Sequence, residues 1–329
     1  MSHPYADELY LGLATVRTAA AICQTVQAAI TSEALDKKDS SPVTVADFAS
    51  QAVICHAIGN VFASDPMIAE EDSFALRQPE NAGFLREIHG LILRHYGPAT
   101  NDEIFNWIDR GGAKTYSSRF WTLDPIDGTK GFLRRDQYAI SLALIVDGQI
   151  QLGILACPNL GTKSQSGHSL FYAIRGHGAF ATRMDADSEM QPIRVTQTAD
   201  AAAARFCESF ESSHSSHSES SKIADRLGIQ SAPVRMDSQA KYATIASGEA
   251  EIYLRLPTKT GYFEKIWDHA GGVLIVEEAG GRVTDLAGKP LDFTQGSELR
   301  RNRGVIVTNG ALHNTVLSVT QAVLATENE

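Results

Sequence analysis

The chain has 329 residues, with 29 Lys+Arg against 39 Asp+Glu and a formal net charge of -10. At 43% hydrophobic and 21% charged it is neither disordered nor membrane-like, and its length suits one large or two medium domains. The acidic balance argues against a nucleic-acid polymer as partner; it leaves room for a small anionic substrate, because a bound metal inverts the local charge.

Residues 5–33 are predicted as one long helix, since Tyr5, Leu9, Leu13, Val16, Ala20, Cys23 and Val26 recur at helical spacing. Its apolar run around Ala19–Ile30 is broken by Gln24 and Gln27, so no membrane span is expected. Asp7 and Glu8, with no basic start, argue against a signal peptide. A polar break over Leu35–Ser41 ends at Pro42. Asp47–Phe62 is predicted as a second helix, and Pro66–Glu70 as a short buried strand that delivers Glu70, Glu71 and Asp72 at its end. Residues 81–110 are expected to form two helices around Gly97-Pro98.

From Phe120 the texture changes to strands. Trp121–Leu123 is short. Tyr138–Val146 and Gln149–Ala156 flank Asp147-Gly148, a strong hairpin signal, and Leu170–Arg175 and Gly178–Arg183 flank Gly176-His177. A boundary is expected near 185–200, dividing residues 1–190, helices plus a mostly antiparallel sheet, from a smaller α/β half, 191–329. In that half helices are expected at 218–227, 239–248, 268–279 and 310–326, with strands at 233–237, 250–255 and 304–308. Cys23, Cys55, Cys157 and Cys207 are scattered without a C-x-x-C pair, which argues against a zinc or redox site and suits a reducing, cytoplasmic setting.

The strongest chemical signal is Asp124-Pro125-Ile126-Asp127-Gly128-Thr129. Pro125 stiffens the turn, so both carboxylates and the Ile126 carbonyl can be aimed at one point, and Gly128 lets the backbone approach a ligand. The N–H groups of Gly128 and Thr129 suit an anion. Hard oxygen ligands suit Mg2+ rather than zinc. An ordinary acidic surface turn would explain the same residues. Glu70-Glu71-Asp72 reads equally well as a solvated strand end, and Asp47 and Asp268 as helix N-caps. Gly271-Gly272 inside a helix costs roughly 1 kcal/mol per glycine relative to Ala, which suggests close packing or a close ligand. If the acids at 47, 70, 124–127 and 268 converge, a cation between them is the economical explanation.

Glu70-Glu71, Asp124–Thr129 and Trp267-Asp268-His269-Ala270-Gly271-Gly272 resemble, in order and spacing, the three signatures of the lithium-sensitive inositol monophosphatase superfamily. Ser41–Asp47, Asp124–Phe132, His214–His217, Asp237–Tyr242, Tyr253–Pro257 and Glu264–His269 resemble its fungal and plant branch acting on 3'(2'),5'-bisphosphate nucleotides. The resemblance implies a layered αβαβα sandwich, an α/β fold with the site between the halves. It implies two or three Mg2+ ions on Glu70, Asp124, the Ile126 carbonyl, Asp127 and Asp268, and a water activated by Asp47 paired with the Thr129 hydroxyl. Gly128, Thr129, His214, Ser238, Lys241, Arg255 and Asp268 would hold the substrate; His217, a polar loop residue, needs no function. Lys241 and Arg255, cations in an acidic chain, are the expected anchors of a second phosphate, although an isolated Lys or Arg is more often a solvated surface charge.

The implied reaction removes the 3'-phosphate of adenosine 3',5'-bisphosphate, giving AMP, and acts likewise on 3'-phosphoadenylyl sulfate, with inhibition by Li+. An inositol phosphate or sugar bisphosphate phosphatase, or a non-catalytic sensor of nucleotide bisphosphates, are the alternatives. A monomer without nucleic-acid or membrane partners is expected.

Overall fold

The computed structural model describes residues 4–30, 44–162, 167–185, 189–210, 217–258 and 261–325. His214, the Leu35–Ser41 break with Pro42, and the last residues of the expected first helix lie outside them.

The helices α1 (Ala6–Ala29), α2 (Val45–Val61), α3 (Ala82–His95) and α4 (Asn101–Asp109) stand where the apolar periodicity places helices, with β1 (Met67–Ala69) between α2 and α3. Thr44 and Thr100 start α2 and α4 through capping boxes closed by Asp47 and Glu103. α1 is long and apolar enough, by length and composition, to cross a bilayer, contrary to the reading of its glutamines. Its apolar face is spent inside the protein: Leu13, Val16, Ala19, Ala20, Ile22 and Cys23 are buried in the first core.

Strands follow: β2 (Arg119–Asp127), the short helix α5 (Thr129–Leu133), β3 (Ala139–Val146), β4 (Gln149–Ala156), β5 (Leu170–Ile174), β6 (Ala179–Thr182) and β7 (Gln191–Ile193). They form a seven-stranded sheet in the order β1 to β7. β1 runs parallel to β2; the other neighbouring pairs in this sheet are antiparallel. Asp147 and Gly148 both take positive φ, 50° and 75°, as a two-residue hairpin turn between β3 and β4 requires.

The second sheet collects β8 (Phe206–Glu208), β9 (Val234–Arg235), β10 (Ile252–Arg255), β11 (Arg282–Thr284) and β12 (Val305–Thr308) in the order β11-β12-β10-β8-β9. Its helices are α6 (His217–Leu227), α7 (Ala240–Ala246), α8 (Ala270–Glu278) and α9 (His313–Ala325).

Alternation along the strands explains the layering. Leu142 and Leu144 of β3 face the core under α1 and α2, whereas Ala143 and Ile145 face a middle core with Leu274 and Val276 of α8. Tyr253 of β10 and Val307 of β12 enter that middle core; Ile252 and Ile306 face a third core with Ile223 of α6 and Val316 of α9. Both sheets are thus covered on both faces, which is why their strands read as nearly continuous apolar runs. The result is the expected αβαβα sandwich.

Candidate active site

β2 is longer than expected, because the Asp124–Asp127 segment is the end of the strand and not a turn after it. Residues three apart on a regular strand face opposite ways. The pairing with β3 slips here: Asp124 faces Ser141 but Asp127 faces Ala139, so β2 carries one extra residue. Such a bulge re-aims a side chain, and Pro125, with no N–H to lose, tolerates it. The Asp124 carboxylate accepts the Ile126 N–H at 3.1 Å. Gly128 then turns the chain at φ 86° into α5; a Cβ there would lie 2.9 Å from the Ser238 Cβ.

One cavity of about 540 Å3 opens beside this bulge. Glu70, Asp124, Ile126, Asp127, Gly128, Thr129, Ser238, Lys241, Arg255 and Asp268 all line it. The sequence-predicted residues from β1, β2, α7, β10 and the turn before α8 are therefore brought together. Asp47 does not line it; it stands behind, near enough to raise the pKa of both Glu70 and Glu71.

The acids repel one another. Burial first, then Glu71 and Asp47, pushes Glu70 up to about 8. Burial, then Glu70, Asp127 and Asp268, holds Asp124 well above the usual carboxylate range, and the two carboxyl groups of Glu70 and Asp124 share a hydrogen bond. Asp127 is raised chiefly by burial, against the charge of Lys241 and a 2.6 Å hydrogen bond from the Gln239 N–H. Asp268 rises to about 7 through burial and Asp127. It is the last residue of a 3-10 turn, Ile266–Asp268, and not the N-cap of α8, which is His269.

The expected Asp47–Thr129 pair does not form. Asp47 Oδ2 accepts the N–H and the hydroxyl of Thr44 at 2.8 and 2.7 Å, and the Thr129 hydroxyl donates to the Ile126 carbonyl at 3.2 Å. The N-cap reading of Asp47 is also replaced: it is the third helical residue, closing the box that Thr44 begins. Burial raises Asp47 to about 7.

Two cations join the acids in this cavity. Lys241, 2% exposed, donates to the Met236 carbonyl at 3.3 Å and stands 5.1 Å from the Tyr253 ring centroid. Burial pulls its pKa down, and Asp127 opposes that. Arg255 meets Glu264 with two contacts of 3.2 Å. Burial works against this pair, yet His269 and Arg255 hold Glu264 at about 2. His269 Nε2 is 3.4 Å from Glu264, and its Nδ1 is 2.7 Å from the Tyr242 hydroxyl.

Gln239 fixes the floor. Its side chain donates to the Trp267 carbonyl at 2.8 Å and accepts from Ser141 and the Gly272 N–H, both at 3.2 Å. The preceding Ser238 sits at φ 71°, a strained position for a residue with a Cβ, and this delivers the Gln239 N–H to Asp127. Glu264, His269, Gln239 and Tyr262 also line the cavity, although the residue pattern singled out none of them as a site residue. Glu264, Asp268 and His269 hold ligand atoms within 4.8 Å of one another. The Arg255 charge on Glu264 makes that trio an ion-pair relay before it is a cation site.

The Inositol monophosphatase family model matches residues 7–325, and the chain belongs to that family. Proteins named 3'(2'),5'-bisphosphate nucleotidase are its relatives. The one from Schizosaccharomyces pombe is 40% identical over 96% of this chain and 95% of its own length, and one from Oryza sativa is 42% identical over 99% and 97%. Among solved structures, an IMPase of Thermotoga maritima shares the fold with a TM-score of 0.66 at 21% identity, covering 97% of this chain and 99% of that one. The suhB protein of Bartonella henselae gives 0.66 at 18%, covering 96% and 98%.

Proposed function

We propose that the chain is a Mg2+-dependent phosphatase that converts adenosine 3',5'-bisphosphate to AMP and phosphate and removes the same 3'-phosphate from 3'-phosphoadenylyl sulfate. The observation that carries this reading is one cavity lined by a cluster of carboxylates and by two cations, the buried Lys241 and the half-buried Arg255. A nucleotide with two phosphates uses both sets of groups. The full-length relatives with that name support it.

The donor set suits the metal. Glu70, Asp124, Asp127, Asp268 and the Ile126 carbonyl are hard oxygens, and buried carboxylates that raise each other's pKa need a positive partner. When bound, Mg2+ neutralises this wall, makes water a better nucleophile and stabilises charge on the leaving oxygen. Two or three ions fit the expectation from the family resemblance, as does inhibition by Li+. On the family resemblance Asp47, whose Oδ2 is held by Thr44 behind the cavity lining, takes the water proton. The Thr129 hydroxyl, anchored at the Ile126 carbonyl, orients that water. Gly128, Thr129 and Asp268 hold the reacting end; Ser238, Lys241, Arg255 and His214 hold the nucleotide. Four buried free thiols support a reducing, cytoplasmic setting.

Phosphate release from adenosine 3',5'-bisphosphate, 3'-phosphoadenylyl sulfate, inositol 1-phosphate and fructose 1,6-bisphosphate tests the reading. The two nucleotides are expected to give the highest kcat/KM, with loss under EDTA and inhibition by Li+. Preference for an inositol or sugar phosphate overturns the substrate assignment. No release from any substrate, with tight AMP binding retained, makes the protein a sensor.

A further inference from the structure

Three aromatic side chains line the cavity among the described residues: Tyr253, Tyr262 and His269. Tyr253 and His269 are buried, at 3% and 1% exposure, whereas Tyr262 is 49% exposed. Tyr262 is thus the ring among them whose face a ligand can reach. Its hydroxyl end lies close enough to Arg255, Glu264 and Asp268 to feel all three charges. The ring therefore spans from the phosphate-binding cations toward solvent.

We infer that Tyr262 is the base-stacking residue: the nucleobase of a bisphosphate nucleotide lies on its ring while the non-reacting phosphate meets Arg255 and Lys241. This rests on the nucleotide phosphatase reading above and narrows it. A ribose that carries one phosphate to the acidic wall and a second to the cations projects its base away from both, toward the open side where Tyr262 stands. Aromatic rings take bases by their π-faces and discriminate little among them. The substrate class is therefore nucleoside 3',5'-bisphosphates with little choice of base, and base-free sugar bisphosphates are poorer substrates. Tyrosine offers this platform at low entropic cost, having few rotatable bonds, and the charges at its hydroxyl end orient it.

Wild type, Tyr262→Phe and Tyr262→Ala are compared on adenosine 3',5'-bisphosphate and on a methyl riboside 3,5-bisphosphate that lacks the base. The ratio of kcat/KM for the nucleotide over the base-free ester is expected to fall about tenfold or more in the Ala variant, through KM, and to stay within about twofold in the Phe variant. Equilibrium titration with AMP, which needs no turnover, is expected to show the same roughly tenfold weakening in Tyr262→Ala. An unchanged ratio in the Ala variant overturns the inference while leaving the phosphatase reading intact. Equal losses in the Phe and Ala variants assign the effect to the hydroxyl near Arg255 and also overturn it. A wild type inert on the nucleotide overturns both.

Discussion

The mutual repulsion of the acidic wall makes the stability of the metal-free protein depend on pH in an unusual direction. A carboxyl group whose folded pKa is raised holds its proton in the native state after the unfolded chain has released it, so native stability falls as pH rises through the folded value. Glu70 is raised to about 8 and Asp268 to about 7, so the window lies at about pH 6.5–7.5, above the range in which His313 titrates. If one proton, shared by Glu70 and Asp124, is taken as the minimum, unfolding free energy drops by about 1.4 kcal/mol over that unit. A divalent cation displaces the proton, so the stabilisation given by Mg2+ grows by about the same amount, equivalent to roughly tenfold tighter binding per pH unit. Urea unfolding at pH 6.5 and 7.5, with EDTA and then with excess Mg2+, measures both slopes. Metal-free stability that rises with pH, or a Mg2+ increment equal at the two pH values, would refute the reasoning.

Asp124→Asn removes a ligand charge in nearly the same volume. Phosphate release should fall by about 10²- to 10³-fold or more, while the folded state is retained by circular dichroism. Lys241→Met should raise KM for adenosine 3',5'-bisphosphate about tenfold or more with a smaller effect on inositol 1-phosphate; equal effects on both would deny the lysine a role in nucleotide choice. Gly272→Ala would place a Cβ 2.4 Å from the Tyr242 ring Cγ, which packing does not allow to yield freely, so destabilisation of about 1–3 kcal/mol in urea unfolding is expected. His313 is buried between Thr284 and Thr308, at 2.9 and 3.0 Å, and burial then Arg282 lowers its pKa to about 4. A depressed histidine gives stability that is present above about 6.5 and lost as pH falls toward 4, with a ceiling of about 3 kcal/mol; in a His313→Gln variant that acid slope should flatten.

The long helices and hairpins were legible because their signals are local. Asp147-Gly148 dictates a turn by its backbone demands alone, and Gly97-Pro98 marks the break between α3 and α4. β8 and β11, three residues each, were missed because so few residues carry no alternation and their existence depends on strands beside them in the sheet. Pro125 and two acids read as a stop signal, so β2 was expected to end at Leu123; the bulge that lets the strand continue is defined by pairing with β3, which is remote in sequence. Most acids of the candidate site were visible as clusters at element ends. Glu264 and His269 were not singled out, because their importance is relational: it comes from Arg255, nine and fourteen residues upstream, folding back beside them. Gly271-Gly272 was readable as a tight spot, and the structure gives the cause as packing, with a Cβ at Gly271 meeting the Ser141 hydroxyl at 2.8 Å.

The two cations differ in what they offer an anion. Arg255 already lies against Glu264, which in turn meets His269, so its charge is largely compensated and its fork is held in one orientation. Lys241 has a backbone carbonyl and an aromatic face around its ammonium, and burial pulls its pKa down against the pull of Asp127. A buried, undercompensated charge gains more from an arriving phosphate than one that is already paired. Lys241 should therefore supply most of the second-phosphate affinity, and Arg255 most of its geometry. Removing the arginine also strands Glu264 next to Asp268, adding one more uncompensated acid to a wall already crowded with them. The same substitution type at 241 and 255 thus separates binding from assembly: loss at Lys241 appears in KM, whereas loss at Arg255 appears in stability as well.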